Sequence, residues 1–120
     1  MEKPKFERLV LEALEDLPDE IRLRLDNVDV VVDDLATIDQ LVGSGLDERE
    51  SLLGLYEGIP LPDRYGYNLV LPDKITLFQR SIEAICSSDQ EILTEIRDTV
   101  MHEVAHHFGI NDDALDNMGV

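Results

Sequence analysis

Thr99 to Asp113 reads TVMHEVAHHFGINDD and sets His102, Glu103, His106, Gly109 and Asp112 in the spacing HExxHxxGxxD. A helix turns the chain by roughly 100° per residue, so His102 and His106 stack on one face with Glu103 beside them. Two neutral imidazoles at that spacing can both reach one Zn²⁺ ion, and a neighbouring carboxylate can hold the water that the metal acidifies. Gly109 can take the left-handed conformation that ends a helix and turns the chain back. Asp112 follows that turn as the third ligand, with Asp113 as the alternative. The stretch therefore predicts a helix that binds one zinc ion through His102, His106 and Asp112, with Glu103 as the catalytic base.

The helix itself is predicted from Gln90 to Phe108, with an apolar stripe of Leu93, Ile96, Val100, Val104 and Phe108. His102 and His106 fall on the other side with Glu95, Asp98 and Thr99, and Glu95 and Thr99 are candidates to orient an imidazole. His107 projects toward the stripe and is expected to be a packed core histidine. Ser88, with Glu91 three residues on, forms a capping box that opens the helix.

Earlier in the chain, Lys5 to Leu17 places Phe6, Leu9, Val10, Ala13, Leu14 and Leu17 at helical spacing, which predicts a helix packed on a sheet. Pro18 opens a second short helix, Asp19 to Arg24, and Asn27 breaks it. The β-branched run Val28 to Val32 predicts a strand. Leu35 to Glu50 is expected to be loop, with one helical turn before Gly43 and Gly45. Gly54 to Glu57 is a short strand, Gly58 to Gly66 a turn-rich excursion interrupted by Pro60 and Pro62, and Asn68 to Leu71 extended. Lys74 to Arg80 alternates like a strand near a sheet edge. Ser81 to Cys86 reads as a short helix with Cys86 as an apolar filler, and Ala114 to Val120 as another.

A length of 120 residues suits one domain, 1–120, and a mixture of 43% hydrophobic and 31% charged residues is ordinary for a soluble globular protein. The apolar runs are too short and interrupted to span a bilayer, so no membrane association is expected. The start MEKPKFERLV lacks the basic end and wholly apolar run of a secretory signal. A single cysteine excludes an intrachain disulfide, and together these features predict a cytoplasmic protein. The net charge of -17 repels phosphates, which sets aside nucleic acid as a partner and favours basic or unfolded polypeptide partners and divalent cations; a peptide or unfolded polypeptide is the expected substrate.

With the motif on its helix and strands ahead of it, the chain resembles the zincin clan of metallopeptidases, and more narrowly the minimal zincin family of small bacterial proteins. The resemblance runs from the N-terminal helix through LLGLYEGIPLPDR and ITLFQR to HEVAHHFGINDD. It implies an α+β, minimal zincin-like fold: a small mixed sheet packed against the N-terminal helix and the HExxH helix. It also implies a zinc metallopeptidase in which His102, His106 and Asp112 bind metal and Glu103 is the base. Larger zincins carry a downstream lobe that helps to stabilise the oxyanion. Here that help is expected from upstream donors, with Arg64, Tyr65, Tyr67 and Arg80 as candidates and the strand Lys74 to Arg80 holding an extended peptide. The alternative expectation is a zinc-binding interaction module without proteolysis.

Overall fold

In a computed structural model of the chain, residues 1–46, 52–58, 72–110 and 113 are described. Helix α1 spans Lys3–Glu15 and buries Phe6, Val10 and Ala13, the i, i+4, i+7 face that its spacing dictates. It starts and stops two residues before the expected limits, and Leu17, beyond its end, is still buried in the core. Helix α2 covers Asp19–Arg24 after Pro18. Asn27 then takes a positive φ of 59°, a conformation asparagine tolerates better than most residues, and redirects the chain into strand β1, Val28–Asp33.

Helix α3, Ile38–Gly43, is a more regular element than a single turn. Its signal is the pair Thr37 and Gln40: Gln40 N–H donates to Thr37 Oγ1 at 3.1 Å, and Thr37 N–H donates to Gln40 Oε1 at 2.9 Å. Strand β2 covers Gly54–Glu57 and strand β3 Asp73–Phe78, with helix α4, Gln79–Ala84, directly after. Cys86 lies just past α4 rather than inside it, partly buried against the core. Helix α5 runs from Asp89 to Phe108. The expected features at 59–66, 68–71 and 114–120 fall outside the described residues.

The sheet order is β1-β3-β2, with β1 parallel and β2 antiparallel to β3. Strand β3 is therefore central, which corrects the expectation that Lys74 to Arg80 lies at an edge. Its alternation misleads because Thr76, on the face away from Ile75 and Leu77, is as fully buried as they are. Small uncharged threonine accepts burial where a charged residue would not. Val30 and Val32 pair with Ile75 and Leu77 and share one core with α1 and α5. Among the described residues, no helix is long and apolar enough to cross a membrane.

Candidate active site

Helix α5 supplies the motif, and both of its ends are built locally. At the start, Glu91 N–H donates to Ser88 Oγ at 3.1 Å, while the Glu91 carboxylate accepts from Ser87 N–H at 2.9 Å, one residue earlier than a strict capping box. At the end Gly109 adopts φ 71° and ψ 25°, and Ile110 N–H donates back to the Ala105 carbonyl at 2.8 Å. Ile110 packs against the core, so the chain does turn back at Gly109. Asp112 itself falls outside the described residues, and Asp113 is exposed.

The buried face of α5 comprises Ile92, Ile96, Thr99, Val100, Met101, Val104 and Ala105, while His102 and His106 are exposed as expected. Two expectations need correction. Phe108 leaves the stripe and is 45% exposed, with the Arg24 guanidinium 5.8 Å from its ring centre. His107 is also exposed and stacks on Tyr56, ring centroids 3.9 Å apart, rather than entering the core. The last turn of α5 keeps the stripe's direction, but its neighbour there is the Tyr56 ring instead of core aliphatics.

Strand β2 runs alongside α5 in matched steps. A Cβ on Gly54 would lie 2.6 Å from Thr99 Cγ2, Tyr56 N–H donates to Glu103 Oε1 at 3.0 Å, and a Cβ on Gly58 would lie 3.5 Å from His107 Cε1. Two strand residues advance about 6.6 Å and four helical residues about 6 Å, so the pairs 54/99, 56/103 and 58/107 stay in phase. Gly54 is required by this closeness: any side chain there would push β2 off the helix. Phe78 N–H donates to the Leu53 carbonyl. By the alternation of an antiparallel ladder, Gly54 and Tyr56 then turn their backbone groups away from β3. That leaves the Tyr56 amide free to hold Glu103.

Burial raises the Glu103 carboxyl above its ordinary value, while the Tyr56 amide and the His106 and His102 rings draw it partly back. Tyr56 is anchored at its far end, where its hydroxyl donates to Asp73 Oδ2 at 2.7 Å. Burial and the Asp73 carboxylate raise the phenol. His107 Nε2 lies 4.0 Å from the same Asp73 oxygen.

His102 has a defined tautomer. Its Nδ1 lies 2.7 Å from the Asp98 carbonyl, and a carbonyl only accepts, so Nδ1 carries the proton and Nε2 presents its lone pair. The orienting partner is thus the Asp98 backbone, whereas Thr99 is buried beneath β2 and its hydroxyl donates to Glu95 at 3.4 Å. Two clefts meet at Glu103. One of about 440 Å³ is lined by Leu46, Leu52, Leu55, Tyr56, His106 and His107 among others, and one of about 450 Å³ by Leu53, Gly54, Glu95, Asp98, Thr99 and His102.

A family model described as zincin-like metallopeptidase matches residues 25–120. The chain belongs to the zincin-like metallopeptidase family. Among solved structures it is similar to a conserved hypothetical protein from T. thermophilus. Identity is 24% and the TM-score 0.62, over 90% of this chain and 94% of that one, a likeness of fold. No curated protein matches the chain.

Zincin-like proteins generally take zinc, and the donors on α5 fit it: two exposed imidazoles one turn apart, one with Nε2 released by its Asp98 bond. Among the described residues no three His, Cys, Asp or Glu side chains gather as a complete metal-binding group. Of the upstream donors expected around this zincin-like site, Arg64, Tyr65 and Tyr67 lie outside the described residues. Arg80 sits in exposed register on α4 and lines neither cleft. The residues missed by sequence reasoning are Gly54, Tyr56 and Asp73. Only the Gly-x-Tyr-x-Gly pattern of 54–58, small at the points that touch α5, hints at them.

Proposed function

We propose that the protein is a zinc-dependent peptidase in which His102, His106 and Asp112 hold one zinc ion and Glu103 is the general base. The observation that carries this reading is the placement of Glu103, fixed through one carboxylate oxygen to the β2 amide at the meeting point of two open clefts. Zinc, when bound, would lower the pKa of its water from 15.7 toward roughly 7 and polarise a carbonyl.

The remaining work belongs to the chain. Glu103 Oε1 is occupied by the Tyr56 N–H, so Oε2 is the oxygen that takes the proton and returns it to the leaving amine. A carboxyl whose proton affinity burial has raised is a better base than an exposed one, because the proton transfer then has a smaller energetic mismatch. The Asp98 carbonyl keeps the His102 ring oriented. Strand β2, not β3, is the edge next to Glu103, so, with the Tyr56 N–H bonded to Glu103, the outward backbone groups of Gly54 and the Tyr56 carbonyl are the ones that would align an extended peptide.

Elemental analysis should find one zinc per chain, and Glu103→Gln should abolish peptide hydrolysis while keeping the metal. Absence of zinc, or unchanged hydrolysis by the variant, overturns the proposal. Zinc without any hydrolysis by the parent protein would instead identify a binding module.

A further inference from the structure

One residue of β2 grips a whole turn of the motif helix. Glu103 and His107 are four apart on α5 and so lie one above the other on the same face. Tyr56 meets both: its N–H donates to Glu103 Oε1 at 3.0 Å, and its ring stacks on the His107 imidazole with centroids 3.9 Å apart and planes 19° from parallel. His106, the second histidine of the motif, belongs to that turn. The Tyr56 backbone is fixed by the β2–β3 ladder, where it faces Ile75, but its ring still turns about the side chain's own bonds. What fixes the ring is Asp73 at the start of β3, which accepts from the Tyr56 hydroxyl at 2.7 Å. A hydroxyl bonded to a carboxylate is among the stronger hydrogen bonds. The same Asp73 oxygen lies 4.0 Å from His107 Nε2, so one carboxylate faces both rings of the stack. Asp73 lines neither cleft at Glu103.

Resting on the peptidase reading, we infer that Asp73 is a positioning residue: through the Tyr56 ring it holds the turn of α5 that presents Glu103 and His106. Moving that turn along or away from β2 breaks the stack on His107, and sliding the stack breaks the bond to Asp73. Glu103 and His106 are held with His107 because all three belong to one continuous helix. Without the bond the ring is free to take other rotamers. The last turn, in which His106, His107 and Phe108 are exposed, then keeps Val104 and Ala105 as its buried anchors. A misplacement of about 1 Å caused by a change away from the chemistry can cost about a hundredfold in rate.

The test measures zinc affinity by competition with a chromophoric chelator and, at saturating zinc, kcat and KM for a peptide that the parent hydrolyses. Asp73→Ala and Tyr56→Phe should each weaken zinc binding and lower kcat by about 10- to 100-fold, the range for losing an outer partner, with KM within about threefold. The double variant should be no worse than either single one, because both remove the same bond. Asp73→Asn keeps an acceptor for the hydroxyl and should stay within about threefold of the parent, well inside that range. Val32→Ala, which opens the core under the opposite edge strand, should lower stability and leave zinc affinity and kcat unchanged. Parental zinc affinity or kcat in Asp73→Ala, additive effects in the double variant, an Asn variant as impaired as the Ala variant, or an equal loss in Val32→Ala would overturn the inference. A parent protein that binds zinc but cleaves nothing refutes the peptidase reading and leaves the zinc measurements to decide the role of Asp73; one that binds no zinc overturns both.

Discussion

Tyr56 N–H donates to Glu103 Oε1 at 3.0 Å, joining two residues 47 apart in sequence and tying the sheet edge to the motif helix. The bond is possible because β2 lies against α5 without a side chain at Gly54, and because the Tyr56 ring is clamped between His107 and Asp73. Each part of that arrangement can be tested separately.

Gly54→Ala puts a methyl 2.6 Å from Thr99 Cγ2, so it should destabilise the protein by about 1–3 kcal/mol, as overpacking does. Thr99→Ser removes that methyl and keeps the hydroxyl for Glu95. The double variant should recover at least about 0.5 kcal/mol beyond additivity in a denaturant-unfolding cycle. Simple additivity would show that β2 and α5 do not touch here.

Glu103→Gln should stabilise the metal-free protein at neutral pH. The folded state holds the Glu103 proton more tightly than the unfolded chain does, because burial disfavours the carboxylate. The parent therefore has its full share of stability below the ordinary value of 4.5 and loses it as the pH rises through the raised folded value. Glutamine does not titrate and keeps an oxygen for the Tyr56 amide. Thermal melts across pH should show the variant's advantage at pH 7 and its disappearance below 4.5.

Tyr56→Phe keeps the stack on His107 and removes the bond to Asp73, which should cost about 1–2 kcal/mol in urea unfolding. The phenol is raised in the folded state. The parent's advantage should therefore be complete below the ordinary tyrosine value of 10.0 and shrink as the pH climbs toward the folded value. An advantage that grows above pH 10 would contradict the Asp73 bond.

Excess zinc should raise the melting temperature, with about 2.7 kcal/mol gained at a hundred times its Kd, and a chelator should reverse the gain. In a competition titration against a chromophoric chelator, Asp112→Ala should weaken zinc binding by more than the roughly 10- to 100-fold typical of losing an outer partner. Asp113→Ala should leave affinity within about threefold of the parent, well inside that range. The reverse order would move the third ligand to Asp113.

Much of the local structure was legible. Asp19–Arg24 and Gly54–Glu57 lie where composition and turn residues place them, and Gly109 takes the left-handed conformation its position demands. Helix α3 was readable in Thr37 and Gln40 but was obscured by the following glycines. The central position of β3 was not legible, since strand order depends on pairing between Val28–Asp33 and residues about 45 positions later.

By itself the sequence determined the helix, the facing of His102 and His106 away from the core, and the turn at Gly109, because all three follow from rotation per residue and backbone sterics within a few positions. Tertiary structure decided which strand flanks Glu103, that Tyr56 holds it, and that His107 stacks on that tyrosine rather than entering the core. These depend on the phase between a strand and a helix more than 40 residues apart, set by packing at Gly54 against Thr99. No periodicity within either segment encodes that phase.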